Sequence, residues 1–379
     1  MKVSRHNGLD TKTPFSAKLL LTVVFFLLTA VSAFGILRSS DMSFTLQKWA
    51  FAIGFGGLLS ALLVAVLYTL LPQQRYRQPR HGAAFYPLCA GALGFVGMAL
   101  SYIWLGVWPF GEESVMIVDL HHQYGPLLSQ LRDMLQNGGN LLYTFKAGIG
   151  ANFLSLFGYY LASPFNLLLL LFPETMLTEA VLVITLLKNA LAAVLFAACL
   201  QYLLRRREPF VAVLAVCYSL SMYLLAYSWN IMWLDGVMIL PLVVLGFERM
   251  MRGGKYGVYI LSLAYVLFTN YYIGFMVCLF MVLYYLAFAI RQKRTAGEQG
   301  RAFLRFVCGS LIGGGLAMCL LVPVFFALRY TSAAGETLPE ANSTFQLVRL
   351  FGRHLFGSSP TIRSGNLPNI YCGILPLFL

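Results

Sequence analysis

Long apolar runs separated by short polar segments make up most of the chain. The runs lie at 18–37, 49–71, 85–107, 177–204, 209–228, 234–250, 256–269, 271–290 and 303–328, and a further run begins near residue 370. Each run is long enough to cross a hydrocarbon core about 30 Å thick as a helix, except the short run 256–269. The pattern predicts an all-α, polytopic integral membrane protein with about ten transmembrane helices.

The charged residues predict how these helices are oriented. Most of the 27 basic residues fall in alternate loops, which include Arg75–Arg80, Arg205–Arg207 and Arg291–Arg305. Because bacterial membrane proteins retain Lys and Arg in cytoplasmic loops, we expect a bacterial plasma-membrane protein whose amino terminus is cytoplasmic. The alternation holds only if the stretch 151–173 does not cross the membrane. That stretch is therefore predicted to be re-entrant or interfacial, with a broken helix at Pro164.

Composition supports an integral membrane protein and argues against a soluble domain, a nucleic-acid-binding protein and a cysteine-based metal or disulfide site. Hydrophobic residues make up 59% of the chain and charged residues 11%, and the mean hydropathy is +0.75, which leaves too little polar surface for a soluble domain. The net charge of +13 follows from the basic cytoplasmic loops and does not indicate nucleic-acid binding. The seven cysteines lie in or beside apolar runs and lack the spacing of a zinc site or a disulfide framework.

Two long segments, 108–176 and 329–369, lie on the predicted outer side of the membrane. In the first, a helical pattern between Pro126 and Gly138 predicts an amphipathic helix on the membrane surface with its apolar face towards the lipid. Asp119 would then stand at the membrane–water boundary, where partial loss of hydration makes a carboxylate a stronger base. The alternative is an ordinary interfacial aspartate that caps a helix.

Two histidines follow Asp119 closely. Asp119 and His122 are three residues apart and would share one face of a helix, so His121 and His122 are candidates to join Asp119 at a metal ion. No third ligand stands in register, and we assign no metal-binding residue. The sequence requires no cofactor and leaves a divalent cation open.

Several blocks in order along the chain resemble the YfhO family of bacterial membrane proteins. They are Asp119–Tyr124, Gly148–Phe153, Ser163–Asn166, Trp229–Gly236 and Thr269–Gly274. The resemblance runs from about residue 85 to the last residue. Members of that family are usually longer, and this chain stops inside an apolar run, so we expect a truncated protein.

The YfhO family is similar to the GT-C glycosyltransferases, which take sugars from polyprenyl-phosphate donors on the outer face of the membrane. The resemblance implies an amino-terminal transmembrane hairpin at 1–84, a GT-C-like core at 85–328 with its outer loop at 108–176, and an extracytoplasmic loop leading into another helix at 329–379. It implies that Asp119 is the catalytic base. The implied partners are a polyprenyl-phosphate-linked sugar, an envelope polymer such as teichoic or lipoteichoic acid, and the bilayer itself. Two apolar runs precede the block that forms the first helix of simpler relatives, which leaves the matching of helices open.

Such a donor needs cations for the departing phosphate and polar groups for the sugar. Lys188 lies inside an apolar run, where an ionisable residue is a functional candidate, although a snorkelling or internally paired lysine is the alternative. Arg329 directly follows the ninth run and would meet a phosphate at the outer surface. We also assign substrate binding to His122, Gln123, Tyr124, Asp235, Asn270 and Tyr271. For Asp235 a helix cap, and for Tyr271 an aromatic belt, explain the residue equally well.

The sequence thus predicts a membrane glycosyltransferase that acts on the outer face. A transporter or flippase for a lipid-linked precursor is the alternative, because broken segments and intramembrane charge also suit transporters. A third alternative is a membrane scaffold without chemistry, in which Asp119 would be dispensable.

Overall fold

The computed structural model describes residues 82–292, 294–330, 353–354 and 368–372. Their α-helices are α1 (Phe85–Trp104), α2 (Gly125–Asn137), α3 (Phe153–Leu156), α4 (Leu177–Leu204), α5 (Pro209–Ser219), α6 (Met222–Ala226), α7 (Leu234–Met251), α8 (Gly257–Thr269), α9 (Tyr271–Arg291) and α10 (Ala296–Leu328). A short antiparallel ladder joins β1 (Tyr143–Thr144) to β2 (Ala151–Asn152). The hairpin predicted at 1–84, apart from residues 82–84, and most of the predicted loop at 329–369 lie outside the described residues.

The chain is an all-α polytopic membrane protein. Five of the described helical segments are long and apolar enough to cross a membrane: Phe85–Trp104, Glu174–Leu204, Pro209–Ala226, Tyr271–Arg291 and Ala296–Leu328. A bent pair of helices, Phe153–Leu161 and Pro164–Leu171, makes a sixth if it is one span. The predicted total of about ten spans is therefore not confirmed within the described residues.

Two further helices begin and end close to the predicted apolar runs, but they are not among the segments that are long and apolar enough to cross a membrane. Helix α7 carries Asp235, Glu248 and Arg249, and α8 has 13 residues. The two helices are joined to α9 and α10 through an apolar core around Phe247 and Tyr259. Gly246 allows α7 and α8 to approach closely, because a Cβ atom there would lie 2.5 Å from the backbone nitrogen of Tyr259.

The stretch 151–173 is broken in the middle, as its sequence predicted. Helical turns at Phe153–Leu161 and Pro164–Leu171 meet at an angle of 92°. Asn152 caps the first piece by accepting a hydrogen bond from the backbone nitrogen of Ser155. Pro164 begins the second piece, where its missing N–H group costs nothing. That this stretch is re-entrant or interfacial, and does not cross the membrane, stays a prediction.

Helix α2 forms where the sequence predicted it, but its apolar face has a different partner. Leu127, Leu128 and Leu131 are buried in one core with residues of the broken stretch, such as Phe153 and Leu169. The Arg132 side chain donates hydrogen bonds to the carbonyl oxygens of Leu169 and Phe172, at 3.3 and 3.1 Å. For these three leucines the expectation of lipid contact is wrong, because the broken stretch supplies a protein surface for them. Leu135 on the same face is 43% exposed, and the position of the helix at the membrane surface stays a prediction.

Candidate functional site

A fully buried ion pair connects two of the predicted site residues. Lys188 Nζ on α4 lies 2.6 Å from Asp235 Oδ2 on the first turn of α7. The side chains are 1% and 0% exposed. The pair is stable in such surroundings only because further hydrogen bonds satisfy both charges.

Three further polar groups supply those hydrogen bonds. The Ser163 hydroxyl and the Tyr265 hydroxyl both donate to Asp235 Oδ1, at 2.9 and 2.6 Å. Lys188 also donates to the carbonyl oxygen of Ile231, at 2.9 Å. Since Ser163 stands at the bend of the broken stretch and Tyr265 on α8, this buried cluster joins four elements of the bundle.

The cluster matches the alternative of an internally paired lysine. All of the hydrogen-bonding contacts that the structure gives Lys188 and Asp235 are made inside the protein. Binding of substrate by either side chain would require this ion pair to open. Substrate binding by Lys188 and Asp235 stays a prediction. Ser163 and Tyr265 were not among the candidates; Ser163 lies in a family-like block, whereas no sequence signal marked Tyr265.

Asp119 lies outside the buried Lys188–Asp235 cluster, at a solvent-exposed position. It is exposed, and it precedes a single turn of π-helix at Leu120–Tyr124 that leads directly into α2. Val118 before it has a φ of +49°, a conformation that β-branched residues rarely adopt. Such strain is found at functional sites more often than elsewhere, so the backbone that presents Asp119 is consistent with a specialised role.

Tyr124 connects Asp119 to the interior of the bundle. Its hydroxyl oxygen lies 3.3 Å from Asp119 Oδ2 and 3.1 Å from Asn230 Oδ1. The pKa of Tyr124 is raised, first by burial of the ring and then by the neighbouring Asp119 charge, so the phenol keeps its proton at neutral pH.

A phenol has one hydrogen and can donate it to only one of these two acceptors. The Asn230 side chain is 1% exposed, and its Nδ2 atom has no hydrogen-bond partner among the described residues. If the Asn230 amide turns by 180°, Nδ2 donates to the Tyr124 oxygen and Tyr124 donates to Asp119. In this arrangement the Asp119 carboxylate accepts the hydrogen bond from the Tyr124 hydroxyl.

A row of four tyrosines extends from Tyr124 across the same end of the bundle. The rings of Tyr124 and Tyr160 lie 5.3 Å apart, those of Tyr160 and Tyr159 4.5 Å, and those of Tyr159 and Tyr271 5.5 Å. The Gln123 side chain donates to the Tyr160 hydroxyl at 3.0 Å. We call these four residues the tyrosine row; Tyr159 and Tyr160 were missed by the sequence reasoning, although the adjacent pair lies in the predicted broken stretch.

Asn270 holds the far end of the row in place. It is fully buried, its Oδ1 caps α9 by accepting from the backbone nitrogen of Ile273, and its Nδ2 donates to the carbonyl oxygen of Tyr159, at 2.9 Å each. The predicted break at Asn270 between two helices is confirmed. Its contacts show an anchoring role, and binding of substrate by Asn270 stays a prediction.

An apolar groove adjoins Tyr271. Its volume is about 620 Å³, and its walls are Tyr271, Met318, Leu321, Val322, Val324, Phe325, Phe326 and Leu328. Arg329 follows directly, with its guanidinium group 4.8 Å from the centre of the Phe325 ring and 5.5 Å from that of Phe326. A cation thus packs on two aromatic residues of the groove wall, and Tyr271 belongs both to that wall and to the tyrosine row.

The two histidines beside Asp119 contact each other. Their rings meet edge to face at 5.0 Å. Among the described residues, no group of three or more His, Cys, Asp or Glu side chains is arranged to hold a metal ion. His122 is exposed next to Asp119, and its role in binding substrate stays a prediction.

Comparison with known proteins identifies a family that this chain matches. The family model described as "Bacterial membrane protein YfhO" matches residues 91–379. "Uncharacterized protein YfhO" of Bacillus subtilis (strain 168) is 25% identical over 205 residues, which are 50% of this chain and 24% of that protein. The match therefore spans about a quarter of that relative's length. No solved structure matches the chain.

Proposed function

The chain belongs to the YfhO family of bacterial membrane proteins, and from this premise we propose that it is a glycosyltransferase. It would move a sugar from a polyprenyl-phosphate donor to a cell-envelope acceptor, such as teichoic or lipoteichoic acid, on the outer face of the membrane. The observation that carries this proposal is the continuity from Asp119, along the tyrosine row, to an apolar groove with Arg329 packed on its wall. A carboxylate base, a set of aromatic faces, an apolar groove and a cation are the parts that such a transfer needs.

Asp119 is the proposed base. It takes the proton of the acceptor hydroxyl while that oxygen attacks the anomeric carbon of the sugar. The bond from this carbon to the phosphate oxygen breaks, and its electron pair leaves with polyprenyl phosphate. Because the attack is a direct displacement, the configuration at the anomeric carbon inverts. The phosphate is already a good leaving group, so no second carboxylic acid is needed.

Arg329 and the groove would hold the donor. The groove is lined by apolar and aromatic residues, which suit the first part of an isoprenoid chain. Arg329 packs on its wall at Phe325, and a guanidinium group there would form paired hydrogen bonds to phosphate oxygens. As charge builds on the departing phosphate, this cation stabilises the transition state more than the ground state.

The tyrosine row would position the sugar between these groups. Tyrosine offers an apolar ring and a polar hydroxyl, which suits a sugar with its alternating C–H faces and hydroxyl groups. Gln123 is already bonded to Tyr160 and presents its carbonyl oxygen as an acceptor in the same place. His122, on the turn after Asp119, stands within the same outer segment.

The second candidate is a flippase or transporter for a lipid-linked precursor. It is favoured by one observation, the buried Lys188–Asp235 pair beside the bend at Ser163, because paired intramembrane charges and broken helices recur in transporters. The two candidates differ in whether a covalent bond to the sugar is made.

The test is sugar transfer in membranes that contain the full-length protein. Radiolabelled polyprenyl-phosphate hexose or N-acetylhexosamine is supplied, and the label is followed into envelope polymer. Asp119→Asn is compared with the wild type and with Asp133→Asn, whose carboxylate is exposed on α2 in the same loop and pairs with Lys146. Loss of transfer in Asp119→Asn alone, at normal protein levels, supports the proposal. Unchanged transfer in Asp119→Asn contradicts it, and donor translocation without transfer by the wild type favours the flippase.

A further inference from the structure

Three arginines surround a small cavity at the end of the bundle opposite to Asp119. The cavity has a volume of about 240 Å³ and is lined by Met251, Arg294, Glu298, Arg301, Ala302 and Arg305. It lies where α7 ends and α10 begins, on the side that the distribution of basic residues predicts to be cytoplasmic. We call it the arginine cavity.

The charges around the arginine cavity do not balance. Glu298 is the one carboxylate in its lining, and Oε2 of this side chain already accepts from the backbone nitrogen and the hydroxyl of Thr295, at 2.9 and 3.0 Å. Arg301 and Arg305 stand one turn apart on α10, a spacing at which like charges repel. In the described part of the chain, no carboxylate lies within ion-pair distance of either arginine. The lining keeps an excess of positive charge that an anion would neutralise.

Arg294 is held in position at the rim. Its guanidinium group lies 5.0 Å from the centre of the Phe288 ring, and its Nη2 atom is 3.5 Å from the carbonyl oxygen of Met251. These contacts leave other N–H groups of the fork for a ligand, since a guanidinium group has five donors. A partly fixed arginine loses less conformational entropy when it binds an anion.

Exposed apolar side chains mark the membrane level beside the cavity. Ile290 at the end of α9 is 84% exposed, and Phe303 and Leu304, which follow the cavity residue Ala302 on α10, are 55% and 61% exposed. Side chains of this kind belong in hydrocarbon, so the arginines stand at the boundary between acyl chains and headgroups. A ligand with an anionic head and an apolar tail fits both features together.

We propose that the arginine cavity binds the phosphate headgroup of an anionic phospholipid of the predicted cytoplasmic leaflet, with its acyl chains along α9 and α10. Arg301 and Arg305 bind the phosphate oxygens, and Arg294 closes the rim. The site is independent of the proposed transfer of sugar, because it lies at the other end of the bundle. A lipid bound in the arginine cavity ties the last turn of α7 and the first turns of α10 to the membrane.

Native mass spectrometry of the purified full chain tests this site. The probes are phosphatidylglycerol, phosphatidylcholine and inorganic phosphate. The variant Arg301→Gln/Arg305→Gln is expected to bind phosphatidylglycerol about fivefold more weakly for each arginine removed. Arg206→Gln/Arg207→Gln, which removes the same charge from another basic loop, is expected to bind as the wild type does. Arg301→Lys/Arg305→Lys keeps the charge and is expected to retain most of the binding, which separates loss of the site from loss of the fold.

Two outcomes would overturn the proposal. If Arg301→Gln/Arg305→Gln and Arg206→Gln/Arg207→Gln weaken phosphatidylglycerol binding equally, the attraction is that of a basic surface and no site exists at the cavity. If inorganic phosphate alone displaces phosphatidylglycerol from the wild type at equal concentration, the ligand is a soluble anion and the lipid tail contributes nothing.

Discussion

Lys188 Nζ and Asp235 Oδ2 lie 2.6 Å apart inside the bundle, although 47 positions separate the two residues in the chain. Both side chains are excluded from solvent, and Ser163 and Tyr265 complete the hydrogen bonds of the carboxylate. A buried pair of this kind contributes little net stability compared with an apolar replacement, but it is costly to break on one side only.

Removal of one partner should therefore destabilise the protein more than removal of both. We expect Lys188→Met to lower the free energy of unfolding by about 3–5 kcal/mol, because the Asp235 charge is left buried and unpaired. Lys188→Met/Asp235→Leu should recover a large part of that loss. Denaturation of the detergent-purified protein measures both, and Lys146→Met, at an exposed pair with Asp133, is the control. A double variant that is less stable than Lys188→Met would contradict this account.

Tyr124→Phe tests the connection between Asp119 and the bundle. The substitution keeps the ring, which is buried against Trp229 and Tyr160, and removes the hydroxyl that contacts Asp119. A hydrogen bond to a charged group is worth about 1.5–3 kcal/mol, so we expect kcat of sugar transfer to fall roughly tenfold or more with little change in KM. Tyr143→Phe, in the β1 strand of the same loop, is the matched control. A change in KM alone would assign Tyr124 to binding instead.

A bulky side chain in the apolar groove should obstruct the lipid chain of the proposed donor. Val322→Trp places an indole in the groove, and we expect KM for the polyprenyl-phosphate donor to rise while the expression level is unchanged. Leu311→Trp puts the same side chain at an exposed position of α10 outside the groove lining, and it should leave KM unaltered. Equal effects of the two variants would mean that the groove has no special role in binding the donor.

The contact between Asp133 on α2 and Lys146 should weaken in acid. The hydrogen bond from Lys146, together with one from Asn137, holds the pKa of the Asp133 carboxyl below its ordinary value of 3.8. A depressed carboxyl pKa contributes stability that is present above the ordinary pKa and is lost as the pH falls through the lowered one. The protection of backbone amides around Lys146 against hydrogen exchange, relative to their intrinsic rate at each pH, should therefore fall below pH 3.8 in the wild type and show no such step in Asp133→Asn. A step of equal size in both would assign the effect to another group.

Much of the helical pattern follows from local properties of the chain. Helix α4 begins and ends at Leu177 and Leu204, as the apolar run predicted, because a segment in hydrocarbon must satisfy its backbone groups internally. The bend at Pro164 and the break at Asn270 were also readable, since proline and an asparagine cap act on the residues next to them. The count of spans does not follow from hydropathy alone, because α7 combines its apolar face with three charged residues.

The sequence alone determined that this is a helical membrane protein, where most of its described helices begin and end, and that Asp119 stands in the loop before α2. Only the tertiary structure decided that Lys188 pairs with Asp235, that the apolar face of α2 packs on the broken stretch, and that Tyr124, Tyr159, Tyr160 and Tyr271 form one row. The physical reason is that hydropathy and capping act over one or two turns of the chain. Pairing, by contrast, depends on which helix faces meet, and the chain brings those together from segments tens of residues apart.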